Sequence, residues 1–209
     1  MTAPREDESR LLAMLAEGDE SALATLFSHH REKLWRMAHF RLDPRLMGRV
    51  DADDVLQESW LAATQRLDSF NAQEAMTVFI WFRHIVGQTM VDVHRRHLGT
   101  QKRSARREIR LHAGAPMASS EAMSAHLVDS LTSPSHAAMR DEAKAKLRAA
   151  IDDMEPIDRE VLLLRHFEEL SNAEVAETLD LQKTAASNRY VRALRRLKEV
   201  LDDAGSSVG

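Results

Sequence analysis

The chain has 209 residues, of which 44% are hydrophobic and 30% charged, with a formal net charge of −4 and no cysteine. This is the composition of a soluble globular protein of one or two domains. It excludes disulfides and thiolate metal sites and agrees with a reducing compartment. No apolar run approaches the roughly 18 residues of a membrane span, and the polar, acidic opening MTAPREDESR is unlike a signal peptide, so a cytoplasmic location is expected.

Residues 10–40 repeat Leu11, Leu12, Leu15, then Leu23, Leu26, Phe27, then Leu34, Met37 and Ala38 at helical spacing. The pattern predicts two helices broken at Gly18-Asp19, with Gly18 closing the first in the left-handed region and Asp19 capping the second. Leu42-Asp43-Pro44 ends the second helix, because proline disfavours helix at the residue before it. A third helix is predicted over 51–67. Asp51 serves as its cap, Asp53 and Asp54 face the positive end of its dipole, and Ala52, Val55, Leu56, Ser59, Ala63 and Leu67 form its core stripe. Beside that stripe run Asp54, Gln57, Glu58 and Leu61. A solvated face is the plainer reading of this mixture taken alone, although an acidic, amide-bearing surface with an exposed leucine also suits a partner protein.

Residues 68–77 break the pattern and read as a loop carrying Phe70, Asn71, Gln73 and Glu74, groups suited to holding a base. A helix over 78–97 follows, dense in Phe79, Ile80, Trp81, Phe82, Ile85, Val86, Met90 and Val91. Core packing is expected for at least two of Phe79, Trp81 and Phe82. The helix runs into a basic island of Arg95, Arg96, Lys102, Arg103, Arg106, Arg107 and Arg110, and aromatic residues beside such a run are the ingredients of single-strand binding. His94 and His97 would make half a metal site, but no further ligands accompany them, and no metal or cofactor site is expected.

Residues 111–133, rich in Ala, Ser and Met, show no sustained apolar repeat and are read as a flexible linker. Pro134 suits the first turn of a helix reaching about Asp153, with Leu147, Ala150, Ile151 and Met154 on its apolar edge. Pro156 starts another, carried by Ile157, Val161, Leu162, Leu164 and Phe167. Ser171 and Glu174 then have capping-box spacing ahead of a short helix with Val175, Ala176 and Leu179. After Asp180-Leu181-Gln182 a second helix aligns Ala186, Tyr190, Ala193, Leu194, Leu197 and Leu201 as a core stripe. Its other side carries Asn188, Arg192 and Arg195, flanked by Arg189 and Arg196, with Lys183 at the start. Two helices, a tight turn and a basic second helix are how a helix-turn-helix looks in sequence. The net negative charge therefore conceals two basic islands in an acidic body.

In their order these pieces resemble the RNA polymerase sigma factors of the sigma-70 family, in the extracytoplasmic-function (ECF) group. Gly18-Asp19-Glu20 with Ala22, Leu23 and Phe27 is similar to the family's GDE-x-A-(L/F) opening, and residues 51–58, DADDVLQE, are close to its DAEDLVQE helix. Leu67 to Phe70, Trp81, Ile85, Asp92 and Arg95-Arg96 follow its promoter-opening segment. Met154, Pro156, Arg159-Glu160, Glu174-Val175-Ala176 and Ser187-Asn188-Arg189 with Arg192-Ala193 track its second domain. The resemblance covers nearly the whole chain.

The resemblance implies an all-α fold in three parts. These are a sigma-two-like domain over 8–110, a linker over 111–133 and a sigma-four-like helix-turn-helix domain over 134–203. It also implies a transcription initiation factor, not an enzyme, whose partners are core RNA polymerase and promoter DNA, with an anti-sigma factor left open as a third. By the same carry-over, Asp51, Asp54, Gln57, Glu58 and Leu61 dock on the polymerase. Phe70, Asn71, Gln73, Gln88, Arg95, Arg96, Lys102 and Arg103 capture and open the minus-ten element. Lys183, Thr184, Ser187, Asn188, Arg189, Arg192 and Arg196 read the minus-thirty-five element. The family often has Asn where Gln88 stands and Gly-Thr where Thr184-Ala185 stands, so base preference does not carry over at those positions. Family linkers are often acidic, whereas this one holds only Glu121 and Asp129, and the interval from Phe70 to Trp81 is slightly long. The rival reading is a helix-turn-helix regulator that acts on duplex DNA without joining the polymerase. An enzyme reading finds no Gly-rich phosphate loop and no Ser/His/Asp grouping.

Overall fold

The computed structural model describes residues 4–46, 48–67, 70, 77–98, 119–131 and 137–206. The described residues are helical, with no strand, and the chain divides into two units, Met1–Pro116 and Met117–Gly209.

The first unit holds α1 (Pro4–Ala16), α2 (Glu20–Arg41), a 3-10 turn (Pro44–Leu46), α3 (Ala52–Thr64) and α4 (Val78–Leu98). Gly18 ends α1 at φ 83°, as expected from the sequence, with the Asp19 N–H donating to the Met14 carbonyl at 3.1 Å and the Gly18 N–H to Leu15 at 3.0 Å. Asp19 then caps α2, accepting from the Ser21 N–H at 2.8 Å. The cap of α3 is reciprocal: Asp51 accepts from the Asp54 N–H and Asp54 accepts from the Asp51 N–H, both at 2.9 Å. Helices α2, α3 and α4 pack on one another and α1 packs on α2. The core between them takes Leu23, Leu26, Phe27, Leu34 and Met37 from α2, Val55, Leu56 and Ala63 from α3, and Phe82, Ile85, Val86, Met90 and Val93 from α4. Phe27 meets Phe82 and Trp60 edge-on at 5.1 and 5.4 Å, the arrangement that sets a positive ring edge against a negative face. Each such side chain taken from water contributes about 1.5–3 kcal/mol, so this shared interior fixes how α3 and α4 face outward.

The second unit holds α5 (Ser120–Leu131), α6 (Ala137–Asp152), α7 (Pro156–Leu162), α8 (Asn172–Leu179) and α9 (Lys183–Ser206). Part of the stretch 111–133, read as a flexible linker, is helical. Residues 120–131 form a helix packed on α6, and Met123, Leu127 and Val128 are buried. Ser120, Met123, Ser124, Leu127 and Val128 make an i, i+3, i+4, i+7, i+8 face that is buried throughout. Two of its five places are serines, and that weakened the apolar repeat in sequence. The domain is therefore larger than the four helices expected; the start of α6 near Pro134 lies outside the described residues. Pro156 opens α7 as expected, but the helix does not run regularly to Ser171. It widens into a π-helical turn at Leu163–Phe167, and Glu169 follows in the left-handed region at φ 56°.

Replacing Met123 with alanine in the full chain is expected to lower unfolding free energy by about 2–5 kcal/mol, as a cavity in a packed core does. Urea unfolding followed by circular dichroism checks this, and an unchanged midpoint would return residues 120–131 to the status of a linker.

Candidate polymerase and nucleic-acid interfaces

Three surfaces carry the candidate residues, and each is positioned by a helix whose opposite side is core. On α3, Ala52, Val55, Leu56, Ser59 and Ala63 face inward, which turns Asp54, Gln57 and Leu61 to solvent. Leu61 is 59% exposed. Asp51 and Asp54 are exposed but also close the first turn of α3 on each other, so neither is a free surface carboxylate. Glu58 is half-buried and accepts from the Arg96 guanidinium of α4. That ion pair joins a residue expected to touch the polymerase to one expected to touch DNA. Both side chains are about half in water, so the pair adds at most about 1 kcal/mol. Asp53 faces α2 instead, accepting from Arg31 and, at 3.2 Å, from Trp35 Nε1.

On α4 the aromatic residues resolve as expected, and further: Phe79, Trp81 and Phe82 are all buried. Phe70 is half-buried, with its ring 5.1 Å from Trp81, so the loop aromatic leans on the core. Gln88, half-buried, accepts from Arg66 through Oε1 and meets the His84 ring at 2.7 Å. Arg95 is exposed beside Asp92, 3.5 Å away, and Arg96 is exposed beyond its bond to Glu58. Asn71, Gln73, Lys102 and Arg103 lie outside the described residues. His94 turns inward and its Nε2 accepts from the Asp43 N–H at 3.4 Å, while His97 is exposed. Among the described residues no group of three or more metal-binding side chains gathers.

The third surface is the helix-turn-helix. Ser171 and Glu174 form the anticipated capping box: the Ser171 N–H donates to Glu174 Oε2 at 2.6 Å and the Glu174 N–H to Ser171 Oγ at 3.2 Å. Asp180 closes α8 in the left-handed region at φ 51°, with the Leu181 N–H donating to the Ala176 carbonyl at 2.9 Å. Asn172 reaches across the turn to donate to the Lys183 carbonyl at 2.8 Å. Ala186, Ala193 and Leu197 bury one side of α9, against α6, α7 and α8. Thr184, Asn188, Val191 and Arg195 lie opposite that side and are exposed, as are Lys183, Ser187 and Lys198 beside them.

Arg189 and Arg196 stand on the flank of α9, half-buried, and Arg192 is exposed at the edge of its outward face. Asp158 of α7 accepts from Arg189 Nη1 at 2.6 Å and from Arg192 Nε and Nη2 at 2.7 and 2.9 Å, and Arg196 donates to Asp153. Burial pushes the Asp158 carboxyl up, but the hydrogen bonds from Arg192 and Arg189 outweigh this and hold it below the usual carboxylate range. Val191, 51% exposed in the middle of the outward face, was missed in sequence. Its place was legible from spacing alone, since positions 184, 188, 191 and 195 lie opposite the core stripe at helical spacing.

The second of the two helical units ends in a capped helix-turn-helix with a polar, basic outward face, the form of a DNA-binding module. The Sigma-70 region 2 family matches residues 26–99, and the Sigma-70, region 4 family matches residues 144–197. The chain is 23% identical over 204 residues to the ECF RNA polymerase sigma factor BldN of Streptomyces coelicolor, covering 96% of this chain and 69% of that protein. It is 22% identical to the ECF sigma factor SigW of Bacillus subtilis over 92% of this chain and 95% of that protein. The solved structure of CnrH in complex with the cytosolic domain of CnrY shares the fold at a TM-score of 0.53 and 23% identity, covering 94% of this chain and 98% of that one. The chain belongs to the sigma-70 family of RNA polymerase sigma factors, in its ECF group, and is a factor that directs RNA polymerase to promoters. The reading as a regulator that never joins the polymerase falls with that assignment.

The inward His94 gives the first unit a pH dependence. Burial holds its pKa below the ordinary value of 6.5, with Asp43 pulling the other way and Arg45 reinforcing burial. The folded form therefore favours the neutral ring and the unfolded chain binds the proton more readily. His94's contribution is complete above about pH 6.5 and is lost as pH falls from there through the depressed folded value. Thermal melts between pH 7.5 and 5.5 should show a falling midpoint, and His94→Gln should reduce that fall; an identical slope in the variant would show that other groups cause it.

Proposed function

We propose that the first unit joins core RNA polymerase through the outward face of α3, formed by Gln57 and Leu61 with Glu58 and the capped Asp51 and Asp54 beside them. The observation that carries this reading concerns the large apolar side chains. Among the described residues the two most exposed are Leu61 and Val191, and they lie on the two helices whose outward faces the resemblance singles out. An exposed leucine amid acids and amides offers a partner apolar area to bury with polar groups to fix its register.

In this reading Phe70, Asn71, Gln73 and Gln88 hold a base of the minus-ten element taken out of the stack, and Arg95, Arg96, Lys102 and Arg103 take the phosphates. Unstacking costs a few kcal/mol, and base–aromatic stacking at about 1–3 kcal/mol per base with phosphate pairing offsets it, so no nucleotide hydrolysis is needed. Arg96 would exchange Glu58 for phosphate, which couples docking to strand capture. The second unit reads the minus-thirty-five element as duplex. Lys183, Thr184, Ser187, Asn188 and Arg192 address the major groove, and Arg189 and Arg196 lie on the flank nearest a phosphate strand. The domains act as a sigma-two-like part within 8–110 and a sigma-four-like part over 134–203, to which α5 is attached. The factor works in the cytoplasm as a binding protein, not an enzyme. An anti-sigma partner belongs to this reading through the family resemblance; CnrH was itself solved in complex with another protein, the cytosolic domain of CnrY.

Leu61→Asp with Gln57→Ala leaves the α3 cap untouched, and it should weaken association with core polymerase by tenfold or more while the thermal midpoint holds. Unchanged association in a fluorescence binding assay would remove this face from the interface. Substitutions at Asp51 or Asp54 are poorer probes, because loss of the cap alone costs about 1 kcal/mol.

A further inference from the structure

Asp158 lies on α7, outside the helix that faces DNA, yet it controls the arginine at the edge of that helix's outward face. Its side chain is 9% exposed, while that of Arg192 is 61% exposed. The contact is side-on and bidentate: Oδ2 takes Nε at 2.7 Å and Oδ1 takes Nη2 at 2.9 Å. Oδ1 also takes Arg189 Nη1 at 2.6 Å, so two guanidiniums share one carboxylate. The Arg196–Asp153 pair is different in kind, for Asp153 is 79% exposed.

A guanidinium has two edges that can grip an acceptor pair, the Nε–Nη2 side and the Nη1–Nη2 end. With the side edge closed by Asp158, only the end remains as a fork. We infer that Asp158 is a positioning residue for base reading: it fixes Arg192 so that its Nη1–Nη2 end meets the O6 and N7 acceptors of a guanine in the minus-thirty-five element. This rests on the proposal that α9 lies in the major groove. A fixed fork matches the paired acceptors of guanine, whereas a mobile arginine takes phosphates of any sequence equally well. The retained negative charge also disfavours unspecific phosphate contact at this place. Donating to the Asp158 carboxylate raises the Arg192 pKa above its ordinary value, in keeping with a cation held in place.

The test uses holoenzyme assembled from the full chain and core RNA polymerase, transcribing a promoter pool randomised in the minus-thirty-five element. The wild-type selection should contain a guanine position that Arg192→Ala abolishes. Asp158→Asn should lower discrimination at that position by about fivefold or more. Its binding to promoter-free duplex should rise at the same time, with a salt dependence steeper by up to about 0.9 log units per log salt as the released arginine finds a phosphate. A merely structural Asp158 would reduce use of all promoters equally and leave the selected sequence unchanged, and that result overturns the inference. Asn188→Ala separates the two levels. If it shifts the selection while Asp158→Asn does not, the positioning role fails; if neither shifts it, the reading of α9 as the recognition helix fails and takes the inference with it. Should Asp158→Asn melt early, Asp158→Glu carries the test, because it keeps the charge but shifts the carboxylate by one methylene and so loses the side-on grip on Arg192 that gives the guanine position. Retention of the guanine position in that variant overturns the inference.

Discussion

A helix of eight residues has too few internal hydrogen bonds to hold itself in water, and α8 is that short. It exists because both ends are closed: Ser171 and Glu174 satisfy each other's backbone N–H at the start, and Asp180 and Leu181 return N–H groups to the carbonyls of Glu177 and Ala176 at the end. The same reciprocal cap starts α3, where Asp51 and Asp54 play both parts. The presentation of Leu61 and of the α9 face thus depends on first turns whose polar groups are satisfied locally, leaving the apolar stripes to dock without a competing demand.

Carboxylates within the protein compete with DNA for its arginines. The basic residues that stand out in the sequence are partly engaged within the protein: Arg96 by Glu58, Arg189 and Arg192 by Asp158, and Arg196 by Asp153. These pairs are mostly half-exposed, so they contribute little to stability. Their larger effect is on availability. Phosphates must displace or share carboxylates already in place, and a guanidinium held side-on keeps only part of its donor set for DNA. The net charge of −4 gains a local meaning here, since acidic groups sit beside the basic islands as well as far from them.

Helix starts, helix ends and core stripes were legible in the sequence because each is set by neighbours within a turn or two. Gly18, Asp19, Asp51, Pro156, Ser171 and Glu174 all act where their residue types suggested; the stripe of α3 is buried as read, and that of α9 is buried at Ala186, Ala193 and Leu197 and half-buried at Tyr190, Leu194 and Leu201. Helix α5 was hidden because serine holds two places on its inward face, and the π-helical turn at 163–167 has no periodic signature of its own. In the candidate sites the outward faces could be read, but the partners of charged residues could not. Asp158 lies 34 positions from Arg192 and 31 from Arg189, and no local rule pairs them. Val191 stands opposite the core by the same spacing, but a single valine among charged residues carries no signal of its own.

The corner at Asp180 sets a boundary on how this protein can change. A left-handed residue with two backbone bonds across it, and Asn172 tied to the first carbonyl of α9, gives the turn one geometry rather than a range of them. The angle between α8 and α9 is then a property of the backbone and is insensitive to which side chains decorate α9. New promoter preferences are open to this scaffold through exchanges at Thr184, Ser187, Asn188, Val191 and Arg195, each made without repacking the unit beneath. A change in the pose of the whole helix would require rebuilding the corner itself.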